Sequence, residues 1–104
     1  MKEMLRIVLV CAGGYSSRLL VRRIMEEAND RKINITCQSI GENTVTEHMG
    51  EFDVLLLAPQ VSNMLNSFEK LLDGSVPVDV IDIRDYGTMN GSHVLDQALM
   101  LCKK

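Results

Sequence analysis

The stretch Ile7-Val8-Leu9-Val10-Cys11-Ala12-Gly13-Gly14-Tyr15-Ser16-Ser17 runs from four consecutive apolar residues through a thiol into a small, glycine-bearing turn. An unbroken apolar run reads as a strand covered on both faces, as in a parallel sheet, rather than one that alternates between core and solvent. Beyond the turn, Leu20, Val21, Ile24, Met25 and Ala28 share one helical face and Arg22, Arg23, Glu26 and Glu27 the other, with Ser16 or Ser17 as the N-cap. The unit is therefore strand, turn, helix, with Cys11 at the carboxyl end of the strand.

Working outward, apolar segments at 5–10, 33–40, 54–58 and 78–81 predict four strands. The first, third and fourth read as runs covered on both faces, whereas the second mixes Asn34, Thr36, Gln38 and Ser39 with its apolar residues and is the candidate edge. Val61, Met64, Leu65, Phe68, Leu71 and Leu72 predict a helical stripe ending near Asp73-Gly74, and Val94, Leu95, Ala98, Leu99 and Cys102 another over 92–103. Glu42 to His48 has room for one short helix. Strands alternating with helices imply an α/β fold, a four-stranded parallel sheet with helices on both faces in three layers. At 104 residues the chain reads as a single domain spanning 1–104.

Composition narrows the function. A net charge of -3 and four aromatic residues offer neither a basic footprint nor stacking platforms, so nucleic acid is not the expected partner. No run approaches the roughly 18 apolar residues of a membrane span, and Met1-Lys2-Glu3-Met4 leads into a strand rather than a signal-peptide pattern, which predicts a cytoplasmic, non-spanning protein. Cys11, Cys37 and Cys102 lack any C-x-x-C pair, against a disulfide framework or zinc site. His48 and His93 read as isolated surface histidines, so neither metal nor cofactor is expected.

The chemistry concentrates at Cys11. In a parallel sheet ligands lie beyond the carboxyl ends of the strands. There the loop amides and the N-terminus of the next helix stabilise a thiolate, or a phosphate, and should lower the thiol pKa from its free value of about 8.5. Gly13 and Gly14 let those amides approach an anion, although glycines also serve ordinary turns, and Cys11 itself has a bland alternative as a small core residue. The loops expected on the same edge are Pro59-Gln60 and 82–90. Neither a Walker pattern nor G-x-G-x-x-G occurs. Asp53 precedes its strand, the wrong end for a phosphoaccepting receiver aspartate. No general acid stands out near Cys11.

Together, Val8 to Ser17 followed by Leu19-Leu20-Val21, then Asp53 to Val61, Pro77 to Asp82, Tyr86-Gly87 and the closing helix from Val94 resemble, over nearly the whole chain, a known family. It is the cytoplasmic enzyme IIB components of the bacterial phosphoenolpyruvate-dependent sugar phosphotransferase system, in the lactose/cellobiose branch. The resemblance implies a fold similar to low-molecular-weight tyrosine phosphatases. It also implies that Cys11 accepts a phosphoryl group from a phosphohistidine of enzyme IIA and passes it to a sugar of the cellobiose/lactose type held by the membrane component, enzyme IIC. Ala12, Gly13, Gly14, Tyr15, Ser16 and Ser17 would bind the phosphate, with Pro59 and Gln60 as a second loop. The chain departs from the family's usual pattern at Tyr15, where an aliphatic residue or Met is usual, and at Arg18, where a small polar residue is common; both bear on donor or acceptor preference.

Two other readings fit the loop. Low-molecular-weight cysteine phosphatases and arsenate reductases share the fold but place an arginine six residues after the cysteine, whereas here that residue is Ser17 and Arg18 follows one later. A one-residue shift rotates a helical side chain by about 100°, away from a bidentate clamp on phosphate. The other alternative is a non-catalytic α/β binding module.

Overall fold

The computed structural model describes residues 4–14 and 17–102. Four strands, β1 (Leu5–Cys11), β2 (Ile35–Gly41), β3 (Val54–Leu57) and β4 (Val78–Val80), form one sheet in the order β2-β1-β3-β4. All three pairings are parallel. This is the α/β architecture that the apolar runs predict, and β2 is indeed an edge; β4, read as covered on both faces, is the other edge, half-buried throughout and carrying Asp79. The α-helices are α1 (Arg18–Asp30), α2 (Leu65–Leu72), α3 (Ile83–Gly87) and α4 (Gly91–Cys102).

Strand alternation divides the interior into two layers. Ile7 and Leu9 of β1 and Val54 and Leu56 of β3 face Leu20, Ile24 and Ala28 of α1 and Val94, Leu95 and Ala98 of α4. On the opposite face Val8, Val10, Leu55 and Leu57 pack against Phe68 and Leu72 of α2, with Val45, Phe52 and Val61 from the connecting segments. Both faces of β1 and β3 are thus buried, which is why these strands carry no polar alternation. Gln97 of α4 covers the edge strand β4: its Nε2 donates to Asp79 Oδ2 at 3.0 Å and to the Val80 carbonyl at 2.9 Å.

Several boundaries depart from simple periodicity. The stripe from Val61 to Leu72 predicts one helix, but Pro59–Met64 is a 3-10 segment kinked at Val61, and α2 begins only at Leu65. Ser62 and Asn63 are weaker helix formers than the residues that follow, which suits a differently wound first turn. The altered phase leaves Leu71 exposed, and Met25 likewise lies on the exposed side of α1. The stop signal holds: Asp73 adopts the left-handed conformation (φ 50°) at the C-cap of α2. Glu42–His48 forms a 3-10 segment where a short helix has room.

Segment 82–90, which reads as a loop, contains α3. Asp82 caps it, Oδ1 accepting from the Arg84 amide at 2.8 Å, and that contact holds the Asp82 carboxyl below the usual carboxylate range. At the other end of the sheet, Asp53 accepts from the Arg6 amide and side chain at 2.9 and 3.2 Å through Oδ2, and at 3.0 Å through Oδ1. Its role is to tie the start of β3 to β1, consistent with its exclusion as a phosphoacceptor.

Candidate functional site

In the order β2-β1-β3-β4 the chain leaves β1 toward one side for β2 and returns to the other side for β3. The crevice at this reversal, beyond the carboxyl ends of β1 and β3, is the place where open α/β sheets hold ligands. Cys11 is the last residue of β1. The register sets Cys11 opposite Gly41 and Val10 opposite Leu57, so the segments after β2 and β3 flank the turn after β1.

Cys11 is fully buried and packs in the second core with Ile40, Ala58 and Val61. Its bland role, filling space at a strand end, is therefore realised alongside any chemical one. Its Sγ lies 3.5 Å from Ser39 Oγ, and either atom can donate. A hydroxyl at this distance stabilises a thiolate by donating to it. Ala12–Gly14 forms a single 3-10 turn in which Gly13 takes φ 76°. A Cβ at Gly13 meets nothing within 4 Å, so glycine is favoured there by its backbone conformation and not by crowding.

Ser17 sits at the N-cap position of α1, and its carbonyl accepts the first helical bond from Val21 N at 2.9 Å. Its hydroxyl makes no cap bond, contrary to the expectation from its residue type. Instead the fully buried Ser17 pairs through Oγ with Tyr86 OH at 3.0 Å, which couples the start of α1 to α3. Tyr15 and Ser16 lie outside the described residues. Arg18 opens α1 with an exposed side chain.

Three residues have no role at the site assigned by motif. Ser39 looks like an edge-strand polar residue, and only the parallel register reveals that it faces the thiol. Tyr86 is 69 residues from Ser17. Glu42 accepts a hydrogen bond from the Gly13 amide at 3.3 Å, so a carboxylate does stand at the turn after Cys11, where the sequence offers no obvious acid. The available signal for Glu42 was its place two residues after a predicted strand. Pro59 and Gln60 follow β3 on the same edge as Cys11, Pro59 starting the 3-10 segment and Ala58 N donating to the Val10 carbonyl at 2.8 Å.

The other two thiols lie away from the turn after β1, Cys37 within β2 and Cys102 at the end of α4. Burial pushes the Cys37 thiol up to about 12, so it stays protonated at neutral pH. Cys102 is also raised, by burial and then by Asp53, and its Sγ lies 3.8 Å from the Asp53 carbonyl, at the opposite end of the sheet from Cys11. The histidines are less isolated than their neighbours in sequence suggest. His48 Nδ1 meets Glu51 Oε1 at 2.9 Å and His93 Nδ1 meets Asp85 Oδ1 at 3.0 Å, because the turns after Glu42–His48 and around α3 bring those carboxylates back.

The chain has close counterparts in sequence and fold. Residues 6–97 match the family described as PTS system, Lactose/Cellobiose specific IIB subunit. The chain is 32% identical over 99 residues to the PTS system oligo-beta-mannoside-specific EIIB component of Bacillus subtilis, covering 94% of this chain and 96% of that protein. It is 38% identical over 98 residues to the galactose-specific EIIB component of Lactococcus lactis subsp. cremoris, covering 88% and 91%. Among solved structures, the cellobiose-specific phosphotransferase IIB component of Borrelia burgdorferi superposes with a TM-score of 0.81 at 37% identity, covering 97% of this chain and 94% of that one. The lactose-specific IIB component domain of Streptococcus pneumoniae shares the fold, with a TM-score of 0.88 at 22% identity and coverage of 97% and 100%. A family match over residues 6–97, with relatives above 30% identity over nearly the full length, establishes that the chain belongs to the PTS lactose/cellobiose-specific IIB subunit family.

Proposed function

We propose that residues 1–104 act as one cytoplasmic IIB domain whose Cys11 carries a phosphoryl group from a phosphohistidine of enzyme IIA to a sugar held by the membrane component, enzyme IIC. The observation that carries this reading is the seat of Cys11, the last residue of β1 and directly before the left-handed Gly13 turn and α1. Family membership supplies the partners, and among the described residues no helix is long and apolar enough to cross a membrane.

The chemistry is two successive displacements at phosphorus. In the first, the Sγ–P bond forms as the P–N bond of the phosphoimidazole breaks; the electron pair returns to the ring nitrogen and the thiol proton ends on the imidazole. In the second, a sugar hydroxyl oxygen attacks, the S–P bond breaks, and the electron pair returns to sulfur while the hydroxyl proton leaves with it as the thiol. The protein's part is to position the phosphoryl group and stabilise its charge, which the amides of Ala12, Gly13 and Gly14 and the first turn of α1 are suited to do. Tyr15, Ser16 and Ser17 complete the proposed loop in sequence, and Pro59 and Gln60 form its second wall. Cys11 is buried, so the donor reaches sulfur only once the thiol becomes exposed.

The sugar is of the class named for the relatives, which spans β-mannosides, galactose and cellobiose. Arg18, exposed at the head of α1, does not favour the phosphatase alternative. Incubation with enzyme I, the carrier phosphoprotein, a matching IIA and phosphoenolpyruvate should place one phosphate on the wild-type chain and no thiol-linked phosphate on Cys11→Ser. Turnover of an aryl phosphate without acceptance from IIA would favour a phosphatase.

A further inference from the structure

The turn after Cys11 already holds an anion of the protein's own. Glu42 Oε1 accepts from the Gly13 amide at 3.3 Å, and the β1–β2 register explains the reach: Cys11 stands opposite Gly41, so Glu42, the next residue, emerges beside the turn. Thr44 Oγ1, donating to the Gly41 carbonyl at 2.9 Å, helps hold that exit in place. Glu42 is part-exposed and belongs to a different segment from the turn. Gly13 takes a left-handed φ of 76° in this turn, the kind of backbone conformation from which anion-binding concavities are built.

We infer that Glu42 is a positioning residue that acts through the Gly13 amide: it holds the turn in its anion-accepting form while Cys11 is free, and competes with the phosphoryl group once Cys11 is modified. This rests on the phosphocysteine reading above. The phosphoryl group on Sγ brings up to two negative charges to the amide that the carboxylate occupies. Two anions claiming one donor repel, so either Glu42 swings into solvent or both are held less well. Both outcomes raise the free energy of the phosphocysteine relative to the free thiol. A carrier must release its phosphoryl group as readily as it accepts it, and Glu42 keeps the cradle from holding it too tightly.

The sign of this effect separates it from simple loop support. Glu42→Gln keeps an oxygen acceptor for the Gly13 amide and removes the charge, so the turn remains supported while the repulsion is lost. The experiment is the equilibrium of phosphoryl exchange with phosphorylated IIA, read as the ratio of phosphorylated to free IIB for wild type, Glu42→Gln and Glu42→Ala, with circular dichroism confirming that each variant is folded. Glu42→Gln should shift the equilibrium toward phosphocysteine about tenfold, the change produced by removing about 1.4 kcal/mol of repulsion. Phosphorylation of both proteins with an unchanged or lower ratio in Glu42→Gln would overturn the inference and leave the carrier reading standing. Failure of the wild type to accept phosphate at all would overturn the carrier reading, and this inference with it.

Discussion

Cys11 Sγ and Ser39 Oγ lie 3.5 Å apart although 28 residues separate them in the chain. Parallel pairing of β1 with β2 creates the approach, setting Leu9 opposite Ser39 and Cys11 opposite Gly41. A hydroxyl that donates to a thiolate stabilises it, typically by about 1 kcal/mol. Ser39→Ala should therefore move the pH profile of Cys11 alkylation by iodoacetamide upward by about 0.7 pH unit, a shift that does not depend on how often the buried sulfur opens. An unmoved profile would show that the hydroxyl does not support the thiolate.

The contact of 3.0 Å between Ser17 and Tyr86 ties the head of α1 to α3. Tyr86→Phe deletes one partner of a fully buried hydroxyl and should destabilise the protein by about 1 kcal/mol. A double-mutant cycle with Ser17→Ala should return a coupling energy of about 1 kcal/mol, and additive losses would assign the effect elsewhere.

Gly91 opens α4 where the helix crosses α1. A Cβ there would stand 2.5 Å from the Arg23 carbonyl carbon and 2.6 Å from its oxygen, both main-chain atoms that no rotamer change can move aside. Overpacking of this kind costs about 1–3 kcal/mol, more than the roughly 1 kcal/mol that alanine gains over glycine in a helix. Gly91→Ala should lower the thermal midpoint by several degrees; an unchanged midpoint would mean that α1 and α4 separate at little cost.

The Arg6 guanidinium and amide hold the Asp53 carboxyl below the usual carboxylate range. A group whose pKa is depressed by folding stabilises the native state above its unfolded value of about 3.9, and that stability is lost as pH falls through the folded value. Thermal midpoints measured downward from about pH 6 should fall in acid, and Asp53→Asn should fall less steeply over the same range because its share of the proton uptake is gone. Equal slopes would place the acid sensitivity with other carboxylates, such as Asp82 and Asp96, which are also depressed.

Much of the architecture was legible because burial on both faces erases polar alternation: Val8 to Val10 and Val54 to Leu57 read as interior parallel strands. The end of α2 was legible for a local reason, the left-handed Asp73 followed by Gly74. Helix α3 was not, since its five residues carry no buried stripe, although Asp82 followed three residues later by Asp85 was a capping signal. At the site, Cys11 and Gly13 were readable from one local stretch. Ser39, Glu42 and Tyr86 reach that stretch through sheet register and the packing of α3, and such meetings leave no pattern of spacing in the chain.

The central claim is that Cys11 itself bears the phosphoryl group. After exposure to phosphorylated IIA, mass spectrometry of the proteolysed protein under conditions that preserve phosphothiol should locate a single phosphoryl group on the peptide containing Cys11. That label should pass to sugar when membranes bearing the matching IIC are added. A phosphoryl group on His48, His93 or another residue with Cys11 unmodified, or retention of the label on Cys11 in the presence of IIC and sugar, would contradict the account.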